Sequence, residues 1–167
     1  MAKEKTLSDA FYEMLKDVYF AEKASVRALK KAAKAAQLPE LKQAFETHAE
    51  ESQAQVERLN QVFETIGKAA RSKTCEAIQG LQAEMEEDLD DFGDTSAGDA
   101  VLIGAAQAIE HYEIARYGTL KTWAGQLGLQ EAAQLLDQTL SEEKKTDELL
   151  TQIAESSANQ MGQQAAQ

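Results

Sequence analysis

The stretch DAVLIGAAQAIEHYEIARYGTLKTWAGQL, residues 99–127, carries the pattern on which the fold turns. Ile103, Ala106, Glu110, Glu113, Tyr117, Leu120, Ala124 and Leu127 recur in alternating steps of three and four. That is the period of one helix face packed inside a bundle. Working outward, the same rhythm runs through three more segments. The first is Phe11, Leu15, Val18, Glu22, Ser25, Leu29, Ala32, Ala36, and the second is Leu41, Phe45, His48, Ser52, Gln55, Leu59, Val62, Ile66. The last is Ala133, Leu136, Leu140, Glu143, Asp147, Leu150, Ala154. Ser8 suits the N-cap of the first helix, Pro39 the first turn of the second, and Gly67 and Gly128 the stops.

Tight turns follow the first and third of these helices. Residues 68–98 form one long connection with a short helical stretch over about 75–89 and an acidic run, Glu86–Asp91. Two hairpins joined by one long crossover is ferritin-like connectivity. An internal repeat agrees with it. Displacing residues 15–66 by 91 positions aligns Glu22 with Glu113, Leu29-Lys30 with Leu120-Lys121, Leu38 with Leu129, Glu51 with Glu142 and Leu59 with Leu150. A duplicated helical hairpin with approximate two-fold symmetry follows. The expectation is an all-α, ferritin-like four-helix bundle over residues 7–156, with a short extra helix in the crossover and a flexible C-terminal tail over 157–167.

Composition narrows the function. Seventeen basic against 29 acidic residues give a net charge of −12. Such a surface repels nucleic acid and anionic membranes, so neither is an expected partner. One cysteine, Cys75, excludes an intrachain disulfide, and with two histidines it rules out a zinc ribbon or an iron–sulfur site. No apolar run reaches the roughly 18 residues of a membrane helix. The N-terminal segment is amphipathic and unlike a secretory signal, so a cytoplasmic location is expected.

The anomaly lies in the middle of each stripe, where Glu22, Glu110, Glu113, Glu143 and Asp147 take positions due to apolar residues, with Glu51 at a stripe edge. At about 1.5 Å per residue, counting from the two turns places these acids in one layer of the bundle. Buried carboxylates are costly without compensation. No lysine or arginine shares the layer on the apolar rows, so divalent cations are the natural partners. The competing expectation is a slightly rotated stripe with the acids solvated at the bundle edge. Di-iron and di-manganese bundles take one carboxylate from each of two helices and a ligand pair from each of the other two. Glu22 is the candidate from the first helix, the pair His48 and Glu51 from the second, the pair Glu110 and Glu113 from the third, and the pair Glu143 and Asp147 from the fourth. His48 reads either as a ligand or as a residue supporting the ligands. Glu142 competes with Glu143: the repeat register favours Glu142, the stripe Glu143. His111 lies off the stripe. Tyr19, Tyr112 and Tyr117 read as core or as hydrogen-bond donors to ligands, and Cys75 as inert.

The segments LKDVYFAEK (15–23), HAEES (48–52), AQAIEHYEIA (106–115) and LSEEKKTD (140–147) resemble the YciF-like family of bacterial stress proteins. The resemblance covers about residues 7–155, and Glu110-His111-Tyr112-Glu113-Ile114-Ala115 is its most specific part. It implies a ferritin-like bundle, a homodimer, a stress-response role and a fold-level relation to rubrerythrin, whose third helix also carries Glu-x-x-Glu. The chain departs from the usual Glu-x-x-His of diiron enzymes. His48 precedes Glu51, and the fourth helix offers Thr146 or Asp147 in place of a histidine. The functional expectation is a dinuclear centre of two iron ions per chain, or manganese, with oxygen or peroxide chemistry if it turns over. The rival is a structural, non-catalytic helical dimer that binds metal incidentally.

Overall fold

A computed structural model describes residues 4–164, and these are helical apart from turns and loops. Helix α1 spans Leu7–Ala35, α2 Pro39–Thr65, α3 Glu76–Phe92, α4 Gly98–Gln126 and α5 Gln130–Ile153. A π-helical turn, Ala154–Ala158, leads into α6, Asn159–Gln164. The architecture is a ferritin-like four-helix bundle. Helix α1 packs along α2 and α4 along α5, while α2–α5 and α1–α4 contacts close the ring. Helix α3, in the crossover, lies outside the ring against α4 and α1.

Local chemistry sets the ends. Thr6, not Ser8, caps α1. Its hydroxyl accepts from Asp9 N, and the Asp9 carboxylate accepts from Thr6 N, a reciprocal capping box. Ser8 lacks such a partner three residues on and falls inside the first turn. Pro39 opens α2, where its missing N–H costs nothing. Gly67 and Gly128 follow α2 and α4 at φ +64° and +74°, a conformation that side chains resist. Cys75 caps α3, its sulfur accepting from Ile78 N. The acidic run Glu86–Asp91 rides within α3 near the surface, where Glu86 meets Lys31 in an exposed pair.

The repeat is geometric as well as sequential. Helices α1 and α4 have 29 residues each, and Leu7 and Ala35 stand 91 positions before Gly98 and Gln126. Every buried residue of α5, from Ala132 through Leu136, Thr139, Leu140, Glu143, Thr146 and Leu150 to Ile153, matches a buried residue of α2 at the same displacement. The two hairpin turns lie at opposite ends of the bundle. One apolar half of the core joins Leu29, Ala32, Leu41 and Phe45 to Leu102, Ile103, Leu150 and Ile153. The other joins Phe11, Leu15, Leu59 and Val62 to Leu120, Ala124, Leu136 and Leu140.

Helix continues from Ala154 to Gln164, and Ala158 is fully buried. Gly162 approaches Ala97, so the segment returns against the start of α4. Ala158, inside the π-helical turn, joins the apolar half of the core that holds Leu150 and Ile153. Residues 165–167 lie outside those described.

Asp99 ties the ends together. Buried at the start of α4, its carboxylate accepts from Gln37 N (2.8 Å) and Leu38 N (2.7 Å) in the α1–α2 turn. Asp99→Ala leaves those two amides without their charged acceptor. It is expected to lower unfolding free energy by about 2 kcal/mol in urea titrations while helical circular dichroism persists.

Candidate metal centre

Between the two apolar halves lies a polar layer. Glu22 comes from α1, His48 from α2, Glu110 and Glu113 from α4, and Glu143 from α5, and none of the five is more than 1% exposed. The carboxylates therefore point inward rather than toward bulk water. Their donor atoms form two groups, His48–Glu110–Glu143 and Glu22–Glu113–Glu143, each with its three ligand atoms within 4.8 Å of one another. Glu143 belongs to both.

Antiparallel stagger explains why His48 arrives. Counted from its own turn, it stands about 9 Å from the level of Glu22. Because the two turns lie at opposite ends, Glu110 is displaced from Glu113 in the same direction along the bundle as His48 is from Glu51. His48 Nε2 thus lies 3.1 Å from Glu110 Oε1 and 3.4 Å from Glu143 Oε2, close enough to pair but not aligned as a hydrogen bond. Its Nδ1 faces Thr146 Oγ1 at 3.2 Å and Glu51 Oε2 at 3.4 Å. Two hydroxyls hold the carboxylates: Ser25 donates to Glu113 Oε1 (2.8 Å) and Tyr117 to Glu22 Oε1 (2.5 Å).

The electrostatics show how costly this layer is as bare protein. Burial, with the neighbouring Glu113 and Glu143 charges, holds the Glu22 carboxyl well above the usual carboxylate range, against the Tyr117 bond. Burial and then Glu143 push Glu113 up to about 8, although Ser25 opposes. Burial likewise lifts Glu143 to about 8, eased by the His48 contact and worsened by Glu110. At His48, burial disfavours charge, but Glu110, then Glu143 and Glu51, outweigh it and hold the imidazole well above its usual range. Burial and the Glu22 charge drive the Tyr117 hydroxyl up as well.

Six buried donor atoms in the layer have no hydrogen-bond partner: Glu22 Oε2, His48 Nε2, Glu110 Oε2, Glu113 Oε2 and both oxygens of Glu143. Unpaired buried acceptors normally carry a large penalty. Four carboxylates and one imidazole form a set suited to hard or borderline divalent cations.

Three sequence candidates stand elsewhere. Glu142 turns to Arg58, which grips it with both terminal nitrogens at 2.8 and 2.9 Å, and Gln55 and Gln138 donate to it too. Burial raises its pKa, but the Arg58 pairing outweighs that and holds it below the usual range. Asp147 accepts from Gln107 Nε2 and pairs with His111, which is largely exposed. Glu51 has a side chain 43% exposed and touches the layer only through His48. An i,i+4 spacing put Glu143 and Asp147 on one side of α5, yet 100° per residue separates them by about 40°, enough to turn Asp147 out of the layer. Arg58 and Gln107 were missed because each lies off its stripe, and no single-helix pattern announces a cross-helix partner. Tyr112 lies between Glu110 and Glu113 but faces away. Its hydroxyl donates to Asp17 Oδ2 (2.6 Å) and meets Cys75 Sγ (2.9 Å), fastening α3 to α1 and α4.

Residues 6–163 match the model of a family described as a domain of unknown function, DUF892. The chain belongs to that family. Protein YciF of Escherichia coli strain K12 is 46% identical over 164 residues, 97% of this chain and 98% of that one. The crystal structure of that E. coli stress protein superposes with a TM-score of 0.89, covering 93% of this chain and 99% of YciF. YcfI of Rhodopseudomonas palustris, described as a putative structural protein, is 39% identical with a TM-score of 0.87, covering 90% and 97% of the two chains. A Xanthomonas campestris protein at 24% identity, with a TM-score of 0.75 over 96% of this chain and 99% of that one, shares the fold. Among the described residues, no helix is long and apolar enough to cross a membrane.

Glu22, Glu113, Glu143 and His48 all bind protons more tightly in the folded bundle than in the unfolded chain. Their stabilising contribution is therefore complete below the unfolded carboxylate range, near 4.5, and is lost as pH rises through about 8. The urea midpoint of chelator-treated protein should fall steadily from pH 5 to pH 8, with a shallower fall in Glu113→Gln. A midpoint that climbs over this interval would contradict the assignment of these groups to the dry core.

Proposed function

We propose that this DUF892 member holds a dinuclear metal centre in the polar layer, with iron as the expected metal and manganese as the alternative. Glu22 and Glu113 would hold one ion, His48 and Glu110 the other, and Glu143 both. The observation that carries this reading is the set of six buried, unpartnered donor atoms from all four bundle helices. Charge supports it as well. Four carboxylates balance two divalent ions, whereas the ion pairs of Glu110 and Glu143 among the described residues are with His48 alone.

Bound there, two redox-active ions would supply electron-transfer chemistry toward oxygen or peroxide. The chain's own part is to orient and to exclude water. Ser25 and Tyr117 each fix one oxygen of a carboxylate, leaving the other directed into the layer. Thr146 and Glu51 face Nδ1 of His48, which turns Nε2 toward Glu110 and Glu143. The apolar halves above and below keep the layer dry. The description of the E. coli relative as a stress protein supports a stress-response role for this chain. A homodimer in the cytoplasm belongs to the same reading. The description of the R. palustris relative favours a second one, a non-catalytic structural dimer that binds metal incidentally.

Anaerobic loading of the chelated protein with iron(II), followed by desalting and metal analysis, is expected to give about two ions per chain. Glu22→Gln and Glu143→Gln should each lower that figure, while Glu142→Gln leaves it unchanged. Folded wild-type protein retaining fewer than about one ion per chain would overturn the proposal.

A further inference from the structure

The five residues of the layer are almost wholly buried, so a cation must have a way in, and the repeat shows where. At the positions related by the 91-residue displacement, Glu51 on α2 corresponds to Glu142 on α5, and Arg58 on α2 to Leu149 on α5. On one side of the bundle Arg58 clamps Glu142 bidentately and also donates to Thr139. Thr139 is itself the counterpart of His48. That side is closed by a cation already in place.

Among the described residues, the related side has no such clamp. Leu149 stands where an arginine would answer Glu51; the leucine is 43% exposed, and so is the Glu51 side chain. Here a cleft of about 340 Å³ opens between α2 and α5, lined by Glu40, Glu51, Lys145 and Leu149 near the surface and by His48 and Thr146 at its floor. Glu51 is the acid that meets both solvent and the centre, its Oε2 lying 3.4 Å from His48 Nδ1 while His48 Nε2 faces Glu110 and Glu143. One imidazole thus separates an exposed carboxylate from the buried donors.

We infer that the α2–α5 cleft is the port through which divalent cations reach the layer, with Glu51 as the capture residue and His48 as the floor that passes them inward. The inference rests on the metal-binding reading above and goes beyond it by assigning Glu51 a role in delivery rather than in the resident ligand set. The asymmetry between the two hairpins is its physical basis. Duplication supplied an acid at each mouth, and Arg58 neutralises one of them.

The test is stopped-flow uptake of cobalt(II) by the chelated full-length protein, read by the visible absorbance of the bound ion, with the final stoichiometry measured separately. Leu149→Arg places at the open mouth the residue that closes the other, and because Leu149 is exposed the fold should tolerate it. Leu149→Arg should slow uptake by about tenfold or more, with final stoichiometry equal to wild type, and Glu51→Gln should slow it to a similar degree. Lys145→Gln should load at least as fast as wild type. Wild-type rates in both Leu149→Arg and Glu51→Gln, at normal stoichiometry, would overturn the port and leave the metal centre standing. A reduced final stoichiometry in Leu149→Arg would also overturn it, since the substitution would then act on the centre itself and not on access to it. No uptake by folded wild-type protein would overturn the metal-binding reading and the port with it.

Discussion

Four carboxylates share a dry layer halfway along this bundle, and the rest of the structure is arranged around that constraint. Removing a carboxylate from water is tolerable only if the charge is lost or is answered by an opposite one. Here Glu22, Glu110, Glu113 and Glu143 face one another across the core, and His48 alone comes from a basic residue type. The raised proton affinities of Glu22, Glu113 and Glu143 are the same fact expressed as protonation. The apolar halves on either side carry the folding free energy. They also deepen the cost of the layer by keeping water out of it.

Duplication accounts for the architecture and its departures from symmetry. Every buried position of α5 has a buried counterpart on α2, so the two hairpins present closely similar faces to the core. What differs is the chemistry at equivalent points. Ser52 corresponds to Glu143, His48 to Thr139, and Gln55 to Thr146, all of them buried. Each of these pairs has diverged: α2 contributes an imidazole where α5 has a threonine, and α5 a carboxylate where α2 has a serine. The same divergence at Arg58 and Leu149 closes one flank of the centre and leaves the other open.

Much of this was legible in the residues. The three-four rhythm, Pro39, Gly67 and Gly128 announced four helices and their turns, and acids in apolar positions of those rhythms announced the layer. The choice between Glu142 and Glu143 shows where such reading misleads. Identical residues at Glu51 and Glu142 made the repeat favour Glu142, yet the buried equivalents are Ser52 and Glu143. The shared glutamates sit one residue away from the core on both hairpins. Asp147 shows a related effect: four residues on from Glu143 it is rotated away from the layer, toward Gln107 and His111.

Periodicity, caps and composition are local properties of the chain, and they suffice to establish the all-α class, the hairpin turns and the depth at which the acids gather. The depth follows because helix rise is constant, so counting residues from a turn measures distance. Which donors meet is another matter. His48 reaches Glu110 because antiparallel stagger moves both the same way from their helical neighbours. Glu142 is lost to the layer because Arg58 of a different helix takes it first. Rotation and stagger between helices are set by how side chains pack across the whole interface, so these partnerships exist only once the four helices have docked.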